Sequence, residues 1–193
     1  IQYNNLAGSD YVLDSSKSNK FQYIENINAI FGTWSKAWKK GWSTNLGLRI
    51  EQTNTNQHSI TLNSITKRHY VDFFPSLFIQ KSIGEKHSIN MNFSRKIKRP
   101  DYNDLNPFQF YLSPYSIWTG NENLKSQYSN ITEFTYTYKN AYSFFIGHEN
   151  LNNNYTHLVF QDDSTNISTY KASNFKVRNN LNLGVNINKD LFK

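Results

Sequence analysis

Phe175-Lys176-Val177-Arg178-Asn179-Asn180-Leu181-Asn182-Leu183-Gly184-Val185-Asn186-Ile187 is the stretch whose reading decides the fold. Phe175, Val177, Leu181, Leu183, Val185 and Ile187 fall on one face, because successive side chains of a strand point to opposite sides. Lys176, Arg178, Asn180, Asn182, Gly184 and Asn186 fall on the other. The same contrast recurs upstream. Tyr142, Phe144 and Ile146 oppose Ser143, Gly147 and Glu149; Thr132, Phe134, Tyr136 and Tyr138 oppose Glu133, Thr135, Thr137 and Lys139. Ile89, Met91 and Phe93 oppose Asn90, Asn92 and Ser94, and Val71, Phe73, Leu77 and Ile79 mark another strand. Trp42, Thr44, Leu46, Leu48 and Ile50 stand against Ser43, Asn45, Gly47, Arg49 and Glu51. Phe21 to about Lys36 reads as a strand whose two faces the pattern does not distinguish.

About seven strands result, each at or above the roughly 9–11 residues that carry a tilted strand across a bilayer. Globular strands centre on about 5–6 residues, so this set is long. Connections alternate: short at 38–41, 83–87, 139–141 and 188–191, long at 53–68, 98–126 and 151–169. A short apolar interruption, Leu158-Val159-Phe160, falls inside the last of the long ones. Residues 1–19 are polar and turn-rich and read mostly as loop. Short turns on one side and long loops on the other are the habit of membrane barrels. Trp38, Trp42, Tyr138 and Tyr142 beside the short turns match an interfacial aromatic girdle.

The expected fold is therefore all-β: an antiparallel up-and-down transmembrane β-barrel, present here as about seven or eight strands of a larger barrel. Residues 1–193 read as a single segment, since no linker or change of composition divides them. The greasy rows face lipid and the polar rows an aqueous interior. A small complete barrel of structural or adhesive role and a soluble all-β binding protein remain the alternatives.

Composition narrows the function. Aromatic residues make up 16% of the chain, yet the mean hydropathy is −0.70, which suits half-wet strands and polar loops. No stretch reaches the roughly 18 apolar residues of a spanning helix. There is no cysteine, hence no disulfide framework or thiolate metal site. The five histidines are scattered without ligand spacing, Asp162-Asp163 is a lone acidic pair, and no nucleophile elbow or phosphate loop occurs. Neither metal, cofactor nor catalysis is expected. The formal charge of +7 permits anionic partners, but no nucleic-acid-binding module is recognisable. The start at Ile1 without an initiator Met suggests a removed signal or a piece of something longer.

Ser94 to Lys125 holds three of the four prolines, Pro100, Pro107 and Pro114. With them come Phe108, Phe110, Tyr111, Tyr115 and Trp118. Proline cannot donate to a strand ladder, so an ordered, aromatic-rich loop is expected. Tyr102, Asn103, Asn106, Phe108, Tyr111, Tyr115 and Trp118 combine aromatic faces with amides, as sugar or chelate recognition would use. The same aromatics would serve equally as the loop's own core. Arg95, Lys96, Lys98 and Arg99 form a basic run at the strand end. It suits outer-leaflet lipid phosphates or a solvated rim.

Here the sequence resembles a known family. Ser94-Arg95-Lys96-Ile97-Lys98-Arg99-Pro100, Asp104-Leu105-Asn106-Pro107-Phe108, Leu112-Ser113-Pro114-Tyr115 and Gly120-Asn121-Glu122-Asn123-Leu124-Lys125 resemble the barrel part of TonB-dependent outer-membrane receptors. So do Phe73-Phe74-Pro75-Ser76-Leu77 and Glu133-Phe134-Thr135-Tyr136-Thr137-Tyr138-Lys139. The resemblance implies an outer-membrane location in a Gram-negative bacterium and a 22-stranded barrel with an N-terminal plug. It also implies nutrient uptake energised by the TonB system. The chain shows no plug domain and about a third of the strands. The partners implied are outer-membrane lipid, the remaining barrel and plug, the TonB system and an unidentified nutrient.

Overall fold

The computed structural model describes residues 4–7, 10–13 and 18–188. β1 (Asn4–Ala7) and β2 (Asp10–Leu13) pair as a hairpin, where the sequence suggested mostly loop. The main sheet contains β3 (Phe21–Ala37), β4 (Trp42–Ser59), β5 (Ser64–Ile83), β6 (His87–Lys98), β9 (Gln127–Tyr138), β10 (Tyr142–Asp162) and β11 (Ile167–Ile187). Between β6 and β9 lie a single helical turn, α1 (Tyr102–Leu105), and the short strands β7 (Gln109–Ser113) and β8 (Ser116–Thr119). The order is β3-β4-β5-β6-β9-β10-β11-β8-β7. Every pairing is antiparallel except β8 on β11. Seven long strands are thus present as expected, curled into a half-barrel.

Register assigns the faces. Leu46 lies opposite Leu77, Leu77 opposite Phe93, Phe93 opposite Thr132, Thr132 opposite His148, and His148 opposite Leu181. One residue along, the row is Asn45, Phe78, Asn92, Glu133, Gly147 and Asn182. β3 now has faces too: Ile30 and Trp34 join the Leu46 side opposite Ile50 and Leu46, and Phe31 joins the other opposite Arg49.

The apolar side is the one left open. Leu46, Leu48, Leu181 and Val185 are 43%, 45%, 65% and 57% exposed, not gathered into a dry core as a soluble fold requires. The buried apolar cluster is Leu105, Leu124 and Ala172, with Phe21, Tyr23 and Tyr155 against it. Phe21 and Tyr23 lie on the first long strand, Tyr155 and Ala172 on the last two. They share a cluster because the sheet curls, and its concave side is the polar one.

Two of the three long connections are corrected. Residues 53–68 are not a loop: β4 and β5 run on as a ladder to the Ser59–Ser64 pair. Residues 151–169 likewise continue β10 and β11 to the Asp162–Ile167 pair, and Leu158-Val159-Phe160 is strand. Asn63 and Asn166, at φ 51° and 55°, turn the two ladders; asparagine tolerates that left-handed backbone. A 21-residue strand tilted at ~45° spans about 50 Å along the barrel axis, roughly twice the apolar band of a membrane barrel. The asymmetry between the sides is therefore one of wall height. The short turns read at 38–41, 83–87 and 139–141 are present, at 39–41, 84–86 and 139–141; Asn188 ends the described chain, so the rest of the turn read at 188–191 lies outside it. Among the described residues no helix is long and apolar enough to cross a membrane.

Both ends of the sheet have free edges among the described residues. β3 is paired on one side only, and β11 is covered on its far side only at Ser168–Lys171. Closure requires further strands.

Candidate functional site

The Arg99–Ser126 segment leaves β6, folds into the curl and lies against the concave wall. Arg99 leads it in. Its Nη2 donates to Glu51 Oε2 at 2.7 Å and to Thr53 Oγ1 at 3.0 Å, and its Nε stands 3.6 Å from Glu25 Oε1. Arg49 holds the other oxygen of Glu51 at 2.6 Å. From the opposite wall, the Tyr155 hydroxyl donates to the Arg99 carbonyl at 3.1 Å. Burial works against the charge of Arg99. The Glu51 carboxylate bonded to it and Tyr70 beside it outweigh that, holding the guanidinium above its ordinary range. Burial, with Asp104 and Asp101 nearby, pushes the Tyr155 phenol up.

Local chemistry then shapes the segment. Asp101 caps α1 by accepting the Asn103 amide at 3.0 Å, satisfying one of the donors a helix start leaves free. Asn106 Oδ1 accepts the Phe108 amide at 3.2 Å, turning the chain into Pro107. Gly120 packs backbone to backbone on this turn: its amide donates to the Asn106 carbonyl at 2.9 Å. A Cβ there would sit 2.5 Å from the Asn106 carbonyl oxygen and 2.7 Å from the Asp104 one. Only glycine permits that approach.

Clamps from three strands, β5, β10 and β11, hold the segment. Arg68 on β5 donates to the Leu124 and Glu122 carbonyls, and Ser64 donates to the Glu122 carboxylate at 3.0 Å. Asn174 on β11 accepts the Lys125 amide at 2.8 Å and returns a bond to its carbonyl at 3.0 Å. Its amide also reaches the Asn153 carbonyl on β10 at 2.8 Å. Asn121 donates to the Ala172 carbonyl at 3.1 Å, and His157 on β10 meets buried Asp104 at 2.7 Å. β8 then hydrogen-bonds to β11, with Trp118 opposite Tyr170.

The seven aromatic and amide candidates divide in two. Asn106 and Phe108 are 5% and 7% exposed and belong to the segment's own packing. Phe108 meets Phe110 edge-on at 5.2 Å, and Phe110 meets half-buried Trp118 at 5.4 Å. Tyr102, Asn103, Tyr111 and Tyr115 are exposed. The basic run divides as well. Arg99 points into the curl, and Lys98 Nζ lies 5.1 Å from the Tyr155 ring on the same side. Lys96 is opposite Ser129 in the concave-face register. For these three the rim reading gives way to the concave wall. Arg95 instead stacks on Tyr128 at 4.9 Å.

A cavity of about 400 Å³ opens beside this anchorage, lined by Arg68, Tyr70, Asn123, Lys125, Ser126, Tyr128 and Asn153. The Tyr128 hydroxyl donates to Asp72 at 3.0 Å. Two cations, two phenols and several amides line it, groups that pair with anionic oxygens. Arg68 and Tyr70 were not legible as site residues: residues 53–68 read as loop, and only the register puts Arg68 and Tyr70 on the concave wall.

An antiparallel meander with a bare apolar convex side, a polar concave side and an inward-folded segment defines the wall of a membrane-spanning β-barrel. The sequence profile of the outer membrane protein beta-barrel family matches residues 1–193, and the chain belongs to that family. Its place is the bacterial outer membrane. Solved structures agree on the fold. The siderophore receptor PirA from Pseudomonas aeruginosa superposes with a TM-score of 0.57 at 15% identity, over 89% of this chain and 41% of that receptor. The ferric enterobactin receptor PfeA in complex with BCV-L6 gives 0.54 at 12%, over 95% and 35%. A mutant of PfeA from Pseudomonas aeruginosa in complex with enterobactin gives 0.52 at 11%, over 95% and 35%. The chain therefore spans less than half the length of these receptors. No curated protein matches it in sequence.

Proposed function

We infer that residues 1–193 act as one segment of the barrel of a TonB-dependent receptor, contributing wall and ligand-contacting surface to nutrient uptake rather than catalysis. The observation that carries this reading is the inward fold of Arg99–Ser126. A segment clamped to β5, β10 and β11 narrows the lumen while presenting Tyr102, Asn103, Tyr111 and Tyr115. Beside it sits the cationic cavity with Arg68 and Lys125. The full reading includes the rest of the barrel, a plug and the TonB system as partners.

Ferric chelates are the first ligand class to try, because the solved structures of like fold are siderophore receptors. The test is energised uptake by cells carrying the native-length protein as their sole receptor of this kind. Accumulation of the ligand that stops when the proton gradient is dissipated, and falls at least about tenfold in Arg68→Gln/Lys125→Gln, supports the reading; loss of a charged contact to a ligand anion is typically of that size or more. Accumulation indifferent to the gradient points to a passive pore.

A further inference from the structure

The short-turn rim carries a charge pattern that nutrient uptake does not use. Lys36 and Lys81 flank β4 on the convex face, opposite Thr44 and Trp42 in the register. Lys36 Nζ lies 4.1 Å from the centre of the Trp38 ring, Lys81 Nζ 5.2 Å from that of Trp42, and Lys139 Nζ 5.3 Å from that of Tyr138. Lys39 and Lys40 belong to the first turn and Lys86 to the second. Among the described residues of this rim, six lysines stand against the single carboxylate of Glu85. That is a surplus of five in a chain whose formal charge is +7.

Two of these lysines sit where the backbone disfavours them. Lys40 has φ 61° and Lys139 φ 52°, the left-handed region in which a Cβ is crowded. At the tall end of the wall the corresponding turns use Asn63 and Asn166, which tolerate that region. Lysine at the short turns accepts a local penalty in exchange for a cation at the rim. Beside Lys139 is a cavity of about 630 Å³, lined by Tyr138, Lys139, Ala141, Tyr142 and Phe144. The Tyr138 and Tyr142 rings stack 6.4 Å apart. Beyond Phe144 the wall continues as the exposed apolar band of Ile146 and Leu183.

We propose that this rim is a binding surface for anionic phospholipid. Headgroup phosphates sit among Lys36, Lys40, Lys81 and Lys139, and acyl chains run along the aromatic girdle onto the apolar band. The placement fits the physics. Aromatic rings settle at headgroup depth, cations over their faces are attracted to both ring and phosphate, and clustered lysines at a membrane surface favour anionic lipid. The unbroken apolar continuation above the lysines specifies a lipid rather than an acidic protein or a free anion.

The test uses the native-length protein reconstituted in equimolar phosphatidylethanolamine and phosphatidylglycerol, with retained lipid quantified by native mass spectrometry. The wild type is expected to retain phosphatidylglycerol over phosphatidylethanolamine by at least about threefold, given the attraction of each surface lysine for anionic lipid. Lys40→Asn/Lys81→Gln/Lys139→Asn is expected to fall to parity. Asparagine suits both left-handed positions, so thermal unfolding should confirm an intact barrel. A control with the same loss of charge at the tall end, Lys20→Gln/Lys67→Gln/Lys171→Gln, should keep the enrichment. Equal retention of both lipids by the wild type overturns the proposal. So does equal loss in both triple variants, or displacement of the lipid by millimolar inorganic phosphate.

Discussion

Arg99 Nη2 donates to Glu51 Oε2 across 2.7 Å, which turns the chain into the curl of the sheet at the point where β6 ends. Glu51 is 6% exposed, and Arg49 holds its second oxygen. Removing one partner of a buried pair strands the other's charge. Arg99→Met is therefore expected to destabilise the anchored segment by about 1–3 kcal/mol, less than a fully uncompensated pair because Arg49 remains. Arg99→Met/Glu51→Gln should recover part of that loss. Chemical denaturation of the four proteins of the double-mutant cycle reads the coupling; strictly additive effects would contradict it.

Gly120→Ala should detach the same segment by another route. The added Cβ meets backbone atoms of Asn106 and Asp104, which no rotamer change can clear. Overpacking of this kind costs about 1–3 kcal/mol. Hydrogen exchange at the Asn121 amide, which donates to the Asp104 carbonyl at 2.6 Å, should accelerate in the variant. Unchanged protection there would refute the packing described.

A pH effect follows from Tyr155, whose phenol is raised by burial and by the carboxylates of Asp104 and Asp101. Below its ordinary value of about 10 both folded and unfolded forms keep the proton, and the contribution to stability is whole. As pH climbs past that value the unfolded chain ionises first, and the stabilisation drains away until the folded phenol also ionises. Proteolysis of the 99–126 segment should therefore quicken above about pH 10, and less steeply in Tyr155→Phe. Identical pH slopes in the two proteins would count against it.

Substitutions on the two faces of β11 should differ sharply. Leu181→Arg places a charge among lipid chains and is expected to cost about 2–4 kcal/mol, the price of arginine near the midplane of a barrel. Asn182→Arg, one residue along, enters the wet interior and should be close to neutral. Reversible unfolding in lipid vesicles gives both values.

Residues 1–193 expressed alone leave the edges of β3 and β11 unpaired and the convex face bare. Detergent dependence, aggregation or a non-native closure is expected, because open edges and large apolar patches seek partners. A stable detergent-free monomer in light scattering would be the opposite outcome.

Legibility along the chain followed the contrast between faces. Where lipid meets one side and water the other, as at Leu181 and Asn182 or Met91 and Asn92, residue type alternates and the strand is plain. Above the membrane the contrast fades. Thr53, Thr55, Gln57 and Ser59 face the curl while Asn54, Asn56 and His58 face outward, so both sides are polar and the ladder reads as loop. Asn152, Asn154 and Thr156 on β10 mislead in the same way. The bend of Arg99 towards Glu51 and the parallel docking of Ser116–Thr119 on Ser168–Lys171 join residues about fifty positions apart. No local period encodes such contacts. Of the aromatic candidates, Phe108 and Tyr111 look alike in sequence, and only the fold separates the packed ring from the exposed one.

The orientation of the two faces can be read directly in a native-length protein freed of any cysteine outside residues 1–193, which themselves contain none. Single cysteines at Leu46, Leu48, Leu181, Asn45, Gly47 and Asn182 of the native-length protein in lipid vesicles can each carry a nitroxide. Relaxation by oxygen, which concentrates in hydrocarbon, should dominate at Leu46, Leu48 and Leu181; relaxation by a water-soluble nickel chelate should dominate at Asn45, Gly47 and Asn182. A reversed alternation, or one solvent signature on both faces, would contradict a wall that turns its greasy side to the membrane.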